Sequence, residues 1–417
     1  MPANAQKDWM TTRRFRTTEA HAEAIQEGLT SFTVSGRNGK QLTLSDGGVY
    51  TEFVSCSYLG LEQHPDLMEA ARTAMDQLGL HLSSSRGAMR PPHLRQLEER
   101  LSRIYQGGSA MVFTSTSNVH LGILPLLGSG SLANYPVGQA VHWLIDQTAH
   151  ASMQVLRGIL QQFGPASRVD SFDEQALTDT LKRCAAQGQT PILLIDGIGS
   201  MNSMVPVARL ARKLSEAGGH IYVDDAHGIS IAGIHGAGYA FAAVDHALPH
   251  NMILAGSLSK AFGGAGGFAV LADDRDYDAI ATLANPLVFG HSIMLPMLAA
   301  NVAAADIHLD GRIIELQARL WSNVETLDQM TGRRLMNAGM QSPIRGALFD
   351  SEEAGLAAAR MFKQRGILLF PVFYPIVREG KAMLRFAISA NHHPDEIRQL
   401  AQAIHAVGQS GLTWSNA

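Results

Sequence analysis

Gly256-Ser257-Leu258-Ser259-Lys260-Ala261-Phe262-Gly263-Gly264 follows the apolar run Asn251-Met252-Ile253-Leu254-Ala255. The run reads as a buried strand that stops in small residues around a single lysine. Of the seven lysines in the chain (Lys7, Lys40, Lys182, Lys213, Lys260, Lys363, Lys381), only Lys260 is boxed by serine and glycine instead of helix-forming polar neighbours. A lysine with its ordinary pKa of roughly 10.4 is a poor nucleophile near neutral pH, so one held in such a turn points to an aldehyde partner and a Schiff base. A glycine-rich turn whose lysine simply faces solvent has the same local signature.

Upstream, His220-Ile221-Tyr222-Val223-Asp224-Asp225-Ala226-His227-Gly228 is a short apolar strand running into two carboxylates and a histidine. In a parallel sheet the carboxyl ends of neighbouring strands converge on one rim, which would bring Asp224 and Lys260 together. A carboxylate facing a lysine there matches what pyridoxal 5'-phosphate (PLP) needs: an amine for its aldehyde and an acid that keeps its ring nitrogen protonated.

With 417 residues, 46% of them hydrophobic, the chain can bury a large core shared by two domains. Its net charge of −4 makes no electrostatic case for nucleic acid or an anionic membrane surface. The two cysteines, Cys56 and Cys184, form neither a disulfide framework nor a metal-spacing pattern, which fits a reducing cytoplasm. Its 17 histidines are scattered and no H-E-x-x-H or C-x-x-C occurs, so no metal is expected. No segment reaches ~18 apolar residues, so no membrane span is expected. The polar N-terminal residues, despite Arg13-Arg14, lack the apolar stretch of a secretion signal.

Residues 17–29 predict a helix ending near Gly28, and Phe32, Val34, Leu42 and Leu44 a small hairpin. From Val49 strand and helix signals alternate: strands Val49 to Val54, Ala110 to Phe113, Val141 to Ile145, Ile192 to Ile195, Ile221 to Val223 and Met252 to Ala255. Helices are predicted over Pro65 to Leu78, His93 to Tyr105, from about Asn118, over Ala151 to Phe163 and over Val207 to Ala217. Gly267 to Leu271 follows Lys260 too closely for a crossover helix and must return antiparallel. The expected fold is α/β, a large doubly wound, mostly parallel sheet with a smaller C-terminal α+β domain. Its parts are an N-terminal helix and arm (1–50), a large domain (51–293), and a linking helix with the small domain (294–417), which holds strands Ile367 to Pro371 and Met383 to Ile388 and a helix from Pro394.

Polar residues collect at the strand ends. Thr114-Ser115-Thr116-Ser117-Asn118 opens a helix with hydroxyls and backbone N–H groups, which makes either a plain N-cap or, with Ser257 on the lysine loop, a phosphate site. His150, in Asp146-Gln147-Thr148-Ala149-His150-Ala151-Ser152, sits at a strand-to-helix junction, either as a surface residue or as a ring stacked on a cofactor.

From about Tyr50 to Val407 the chain resembles the α-oxoamine synthases, a branch of the fold-type-I PLP enzymes. The resemblance is carried by Ser57-Tyr58-Leu59-Gly60-Leu61 with His64-Pro65, His93-x-x-x-Leu97-Glu98, His150-Ala151-Ser152 and Asp196-Gly197-x-x-Ser200-Met201. Asp224-Asp225-Ala226-His227-Gly228, Ser257-x-x-Lys260-x-Phe262-Gly263, and Phe373-Tyr374-Pro375 ahead of Leu384-Arg385 complete it. It implies that Lys260 carries PLP, Asp224 pairs with the ring nitrogen, His227 and Ser200 lie at the ring hydroxyl, and His150 stacks on the ring. It also implies that Thr116, Ser117, Ser257 and, from a second subunit, His291 and Ser292 hold the phosphate, hence a homodimer with shared active sites. Arg385 would take the amino acid's carboxylate.

The implied reaction condenses an α-amino acid with an acyl thioester, presented by CoA or by a carrier protein, usually with loss of CO₂, to give an α-amino ketone. An aminotransferase on the same fold would share Lys260, Asp224 and Arg385 and stays open at this point. Departures from the family pattern fall at Ser57, at Ser117, at Gly236-Ala237-Gly238, and most of all in Ser83-Ser84-Ser85-Arg86, where many members carry glycines before the arginine. Because that loop faces the substrates in the family, Arg86 is a candidate substrate contact, as Ser57 is separately, and Arg86 and Arg90 could meet a phosphorylated thioester carrier or remain solvated.

Overall fold

The computed structural model describes residues 18–83, 85–199, 201, 204–374 and 376–415. Among the described residues, helix Thr18–Gln26 is followed by three strands, β1 (Val34–Asn38), β2 (Gln41–Leu44) and β3 (Val49–Glu52). Seven follow: β4 (Ser109–Phe113), β5 (Ala140–Asp146), β6 (Ala166–Val169), β7 (Gln189–Asp196), β8 (His220–Asp224), β9 (Met252–Ser257) and β10 (Gly267–Leu271). Five more close it: β11 (Ile344–Phe349), β12 (Ile367–Leu368), β13 (Phe370–Val372), β14 (Ala382–Ala387) and β15 (Trp414–Ser415). By packing, the chain groups into two compact units, residues 59–317 and, together, the described residues of 1–58 and 318–417. The N-terminal hairpin therefore belongs to the same unit as the C-terminal segment.

The first unit is built on one seven-stranded sheet in the order β4-β10-β9-β8-β7-β5-β6. Its pairs are parallel except at β10, which runs antiparallel to both β4 and β9. The antiparallel return expected from the short Lys260 connection is therefore present. Strands β8, β9 and β10 are buried along their whole length, which explains their continuous apolar runs: a strand covered on both faces has no polar face to alternate with. Helix Thr116–Gly128 lays Val119, Ile123, Leu124 and Leu127 against Phe113, Trp143, Leu194 and Ile253 in the main core. Each such side chain contributes roughly 1.5–3 kcal/mol through burial.

Helix Pro65–Leu78 matches its predicted span, with His64 as N-cap and Pro65 at the first position. The predicted helix from Ala151 to Phe163 is two four-residue pieces instead, Ala151–Gln154 and Arg157–Leu160. The run carries β-branched Val155 and Ile159 and Gly158, all weak helix formers, and between the pieces Leu156 bonds back three residues to Met153. Strand β6 has no counterpart among the expected elements.

The second unit holds two four-stranded sheets, β1-β2-β3-β12 and β13-β14-β11-β15. In the first, β12 lies parallel to β3; the second is antiparallel throughout. Two buried ion pairs pin this unit, Lys40–Glu52 at 2.6 Å and Arg345–Asp328 at 2.7 Å. No helix among the described residues is long and apolar enough to cross a membrane.

Candidate active site

In the unit spanning 59–317, four strand ends carry the polar residues singled out above. Asp224 at the end of β8 is in register with Asp196 at the end of β7 and with Ala255 on β9. Ser257, the last residue of β9, lies opposite Gly267, which in turn faces Phe113 at the end of β4. Beyond Phe113 the chain turns into helix Thr116–Gly128, whose N-cap Ser115 accepts from the Asn118 amide at 3.2 Å. A Cβ on Gly267 would stand 2.5 Å from the Thr116 nitrogen, so only glycine lets the helix N-terminus close up on the sheet. The hydroxyl of Thr116 donates to Gly256 O at 3.3 Å, which ties the helix start to the strand leading to Lys260.

The lysine loop is itself fastened. Gly264 N donates to Leu258 O at 2.8 Å, and the buried Asn301 side chain accepts from Ala265 N and donates to Ala265 O. A Cβ on Gly264 would overlap Asn301 Oδ1, so the glycine is what admits this clamp. Lys260 is half-buried, and its Nζ lies 2.8 Å from Nε2 of the buried His227.

The strand-end acids are driven apart in protonation. Burial alone would push the Asp224 carboxyl up. The His120 ring on its Oδ2 at 3.2 Å, the Lys260 charge and the Ala226 N–H on its Oδ1 at 3.0 Å outweigh burial and hold it below its ordinary value. Asp196 goes the other way: burial and then the Asp224 charge push it well up, although it accepts from His150 N at 3.1 Å. Asp225 is not in this cluster. Its Oδ2 accepts from Ala240 N at 2.9 Å, and burial first, then the neighbouring Asp224, push it up to about 8.

His150 caps the short Ala151–Gln154 helix and shares a proton with Ser152 Oγ at 2.7 Å. Its ring is open to solvent, yet crowding by the rim, then Lys260 and His120, depresses its pKa against the pull of Asp224. Lys260, Asp224, His227, His150, Ser257, Thr116 and Ser117 thus share one rim of one sheet. Ser200 lies outside the described residues.

Arg86 differs from expectation. It is buried and not solvated: one guanidinium nitrogen donates to Val112 O at 2.6 Å and another to Glu98 at 3.3 Å, and Glu98 also takes Val112 N and the Tyr277 hydroxyl. A polar loop sequence cannot reveal partners that sit on another helix and strand. Arg90 is exposed. In the other unit, Arg385 donates to Val54 O at 3.1 Å, lies 5.4 Å from the centre of the Phe370 ring, and buries an Nε with no partner. Ser57 is half-buried, and its carbonyl takes the Ser389 hydroxyl at 2.7 Å.

The sequence does not single out His120, although its ring is the side chain bonded to the Asp224 carboxylate, at 3.2 Å. Its signal was a lone titratable residue inside the apolar stretch Val119-His120-Leu121-Gly122-Ile123.

This donor set suits PLP. A buried carboxylate held in its charged form wants a cationic partner such as a protonated ring nitrogen, an amine stands beside a histidine one strand away, and a helix N-terminus with hydroxyls suits a phosphate. Residues 51–404 match the family described as aminotransferase class I and II. The chain is 33% identical over 359 residues to the 8-amino-7-oxononanoate synthase of Methylocella silvestris, covering 85% of this chain and 95% of the relative. It is 27% identical over 377 residues to the 2-amino-3-ketobutyrate coenzyme A ligase of Escherichia coli K12, covering 88% and 90%. In fold it is similar to the Sphingomonas wittichii serine palmitoyltransferase, with a TM-score of 0.82 at 21% identity over 95% of this chain and 98% of that one. With these matches spanning the strand ends that carry Asp224 and Lys260, the chain belongs to the PLP-dependent aminotransferase class I and II family, in its α-oxoamine synthase branch.

Proposed function

We propose that this protein joins an α-amino acid to an acyl thioester, acyl-CoA in the first place, releasing the free thiol and CO₂ and leaving an α-amino ketone. The observation that carries this reading is the buried Asp224, bonded by His120 and the Ala226 N–H, at the end of the strand next to the one that leads into the Lys260 loop, in a chain of this family. Bound PLP would supply the sink for the electron pair left at Cα when a proton or CO₂ departs.

The chain's own groups would do the rest. Lys260 would hold the cofactor's aldehyde and, once the amino acid displaces it, take the Cα proton, with His227 at 2.8 Å to relay it. Asp224 would keep the ring nitrogen protonated, His150 would cover one face of the ring, and His227 with Ser200 would hold its hydroxyl. The Thr116 and Ser117 amides and Ser257 would take the phosphate. Arg385, with its unpartnered Nε, would bind the substrate carboxylate. Ser57 remains a candidate substrate contact.

A homodimer would complete the phosphate site with His291 and Ser292 of the partner subunit. Phe289, 80% exposed two residues before His291, supports a covered surface there. Two free thiols support a cytoplasmic setting. The test is to incubate PLP-loaded protein with single amino acids and acyl thioesters of graded length, on CoA and on acyl carrier protein, and to read thiol release. Thiol release that requires both substrates is expected. Amino transfer to a 2-oxo acid with no thiol release from any thioester would refute the proposal.

A further inference from the structure

His120 is the fifth residue of helix Thr116–Gly128 and is fully buried, between Val119 and the apolar residues that follow. A histidine in such a place costs stability unless both ring nitrogens are used. Both are: Nδ1 lies 2.8 Å from the Tyr222 hydroxyl and Nε2 lies 3.2 Å from Asp224 Oδ2. Tyr222 and Asp224 are two residues apart on β8, so their side chains emerge on the same face and the ring bridges them.

The direction of the two bonds follows from the phenol. Tyr222 is fully buried, and burial, then the Asp224 charge, push its pKa well up, so it keeps its proton. Its O–H then donates to Nδ1, which leaves Nε2–H as the donor to Asp224. The other titratable groups facing this pair are Asp196 at the end of β7, Asp225, His150 and Lys260. Of these only Lys260 is a cationic residue type, and its amine is committed to the cofactor in the reading above.

We infer that His120 is a positioning residue: anchored by Tyr222, its Nε2–H fixes the Asp224 carboxylate in the orientation in which it meets the cofactor's ring nitrogen. The inference rests on the PLP reading of the site and adds to it a three-residue chain, Tyr222 to His120 to Asp224, that does not touch substrate. Its prediction is specific to one nitrogen. A glutamine at 120 can place its amide N–H where Nε2 stands, whereas an asparagine reaches only to the place of Nδ1.

The test compares PLP-loaded wild type with His120→Gln, His120→Asn and Tyr222→Phe, reading the PLP dissociation constant and the pH dependence of the cofactor's visible absorbance, with melting of the PLP-free protein as a control for folding. His120→Gln should bind PLP within about threefold of wild type, while His120→Asn should bind about tenfold or more weakly and shift the absorbance profile, as loss of a hydrogen bond to a charged group requires. Equal behaviour of the two variants, in either direction, would overturn the inference, because a residue that merely fills space does not distinguish Nε2 from Nδ1. Should His120→Asn not fold, Tyr222→Phe, which leaves Nδ1 without its donor, must move the absorbance profile; an unchanged profile overturns the inference. Wild-type protein that takes up no PLP would overturn this inference and the functional proposal together, whereas normal uptake with indistinguishable variants would sink this inference alone.

Discussion

Changing Asp224 to asparagine, with Asp225→Asn as its neighbour, separates two adjacent acids that the sequence Asp-Asp-Ala-His presents as equals. Asp224 accepts from His120 at 3.2 Å and from the Ala226 amide at 3.0 Å, and it is held ionised. An asparagine there loses the charge and turns an N–H toward one of those two donors. Each hydrogen bond to a charged group is worth about 1.5–3 kcal/mol, so PLP affinity should fall by about tenfold to a hundredfold. Asp225 is buried with Oδ1 unpartnered and with its pKa pushed up to about 8, so near neutral pH it is mostly the uncharged acid, which an amide resembles in shape and charge. Asp225→Asn should therefore keep PLP affinity within about threefold and stability within about 1 kcal/mol. It should also flatten the pH dependence of stability. The folded pKa of Asp225 lies above its unfolded value of about 3.9, so its contribution is fully present below about pH 4 and is lost as pH rises through about 8. Equilibrium dialysis of PLP and thermal melts at about pH 5 and about pH 8.5 read both effects. If Asp225→Asn is the change that abolishes PLP binding, or if Asp224→Asn binds as wild type does, the assignment of the ring-nitrogen partner is wrong.

Lys260→Ala should leave no pyridoxyl group on the chain after borohydride reduction; peptide mapping that finds the label on another lysine would remove Lys260 from its role. Arg86→Ala should destabilise the fold by about 3 kcal/mol, because it strips a buried Glu98 and the Val112 carbonyl of their cationic partner, and denaturant unfolding measures this. A selective loss of thioester use at unchanged stability would contradict that. Arg385→Ala should raise the KM for the amino acid by about ten- to a hundredfold while PLP uptake stays unchanged, since a carboxylate loses a charged two-pronged partner. Steady-state kinetics alongside a PLP titration separates the two.

The elements that position the site were readable because each ends an apolar run in a polar residue. β8 stops at Asp224, β9 at Ser257, and the short span from Lys260 to Gly267 leaves room only for a return strand. Where that signal is missing, the reading fails for a visible reason. β6 is a four-residue edge strand that is mostly half-buried, too short and too open to leave an apolar run. β11 leaves no clear strand signal because Arg345 and Gly346 interrupt its pattern, yet Arg345 is fully buried there, its charge met by Asp328 from another element at 2.7 Å.

The same reason governs the site. Asp224 and His227 belong to one stretch of chain, and Lys260 sits on the loop that follows the neighbouring strand β9, so local pattern finds them. Arg86 and His120 take their roles from residues far off in sequence, Arg86 from Val112 and Glu98, His120 from Asp224 across 104 positions. Both look out of place locally: an arginine in a serine loop reads as solvated, and a histidine in an apolar helix reads as core. In each case burial is possible only because a partner of suitable charge arrives from another element, and it is that partner that decides the role. Arg86 meets an acid that also holds Tyr277 and the Val112 amide, so it is committed to the fold. His120 meets an acid held ionised at the end of a strand, so the same kind of buried contact acts on the chemistry.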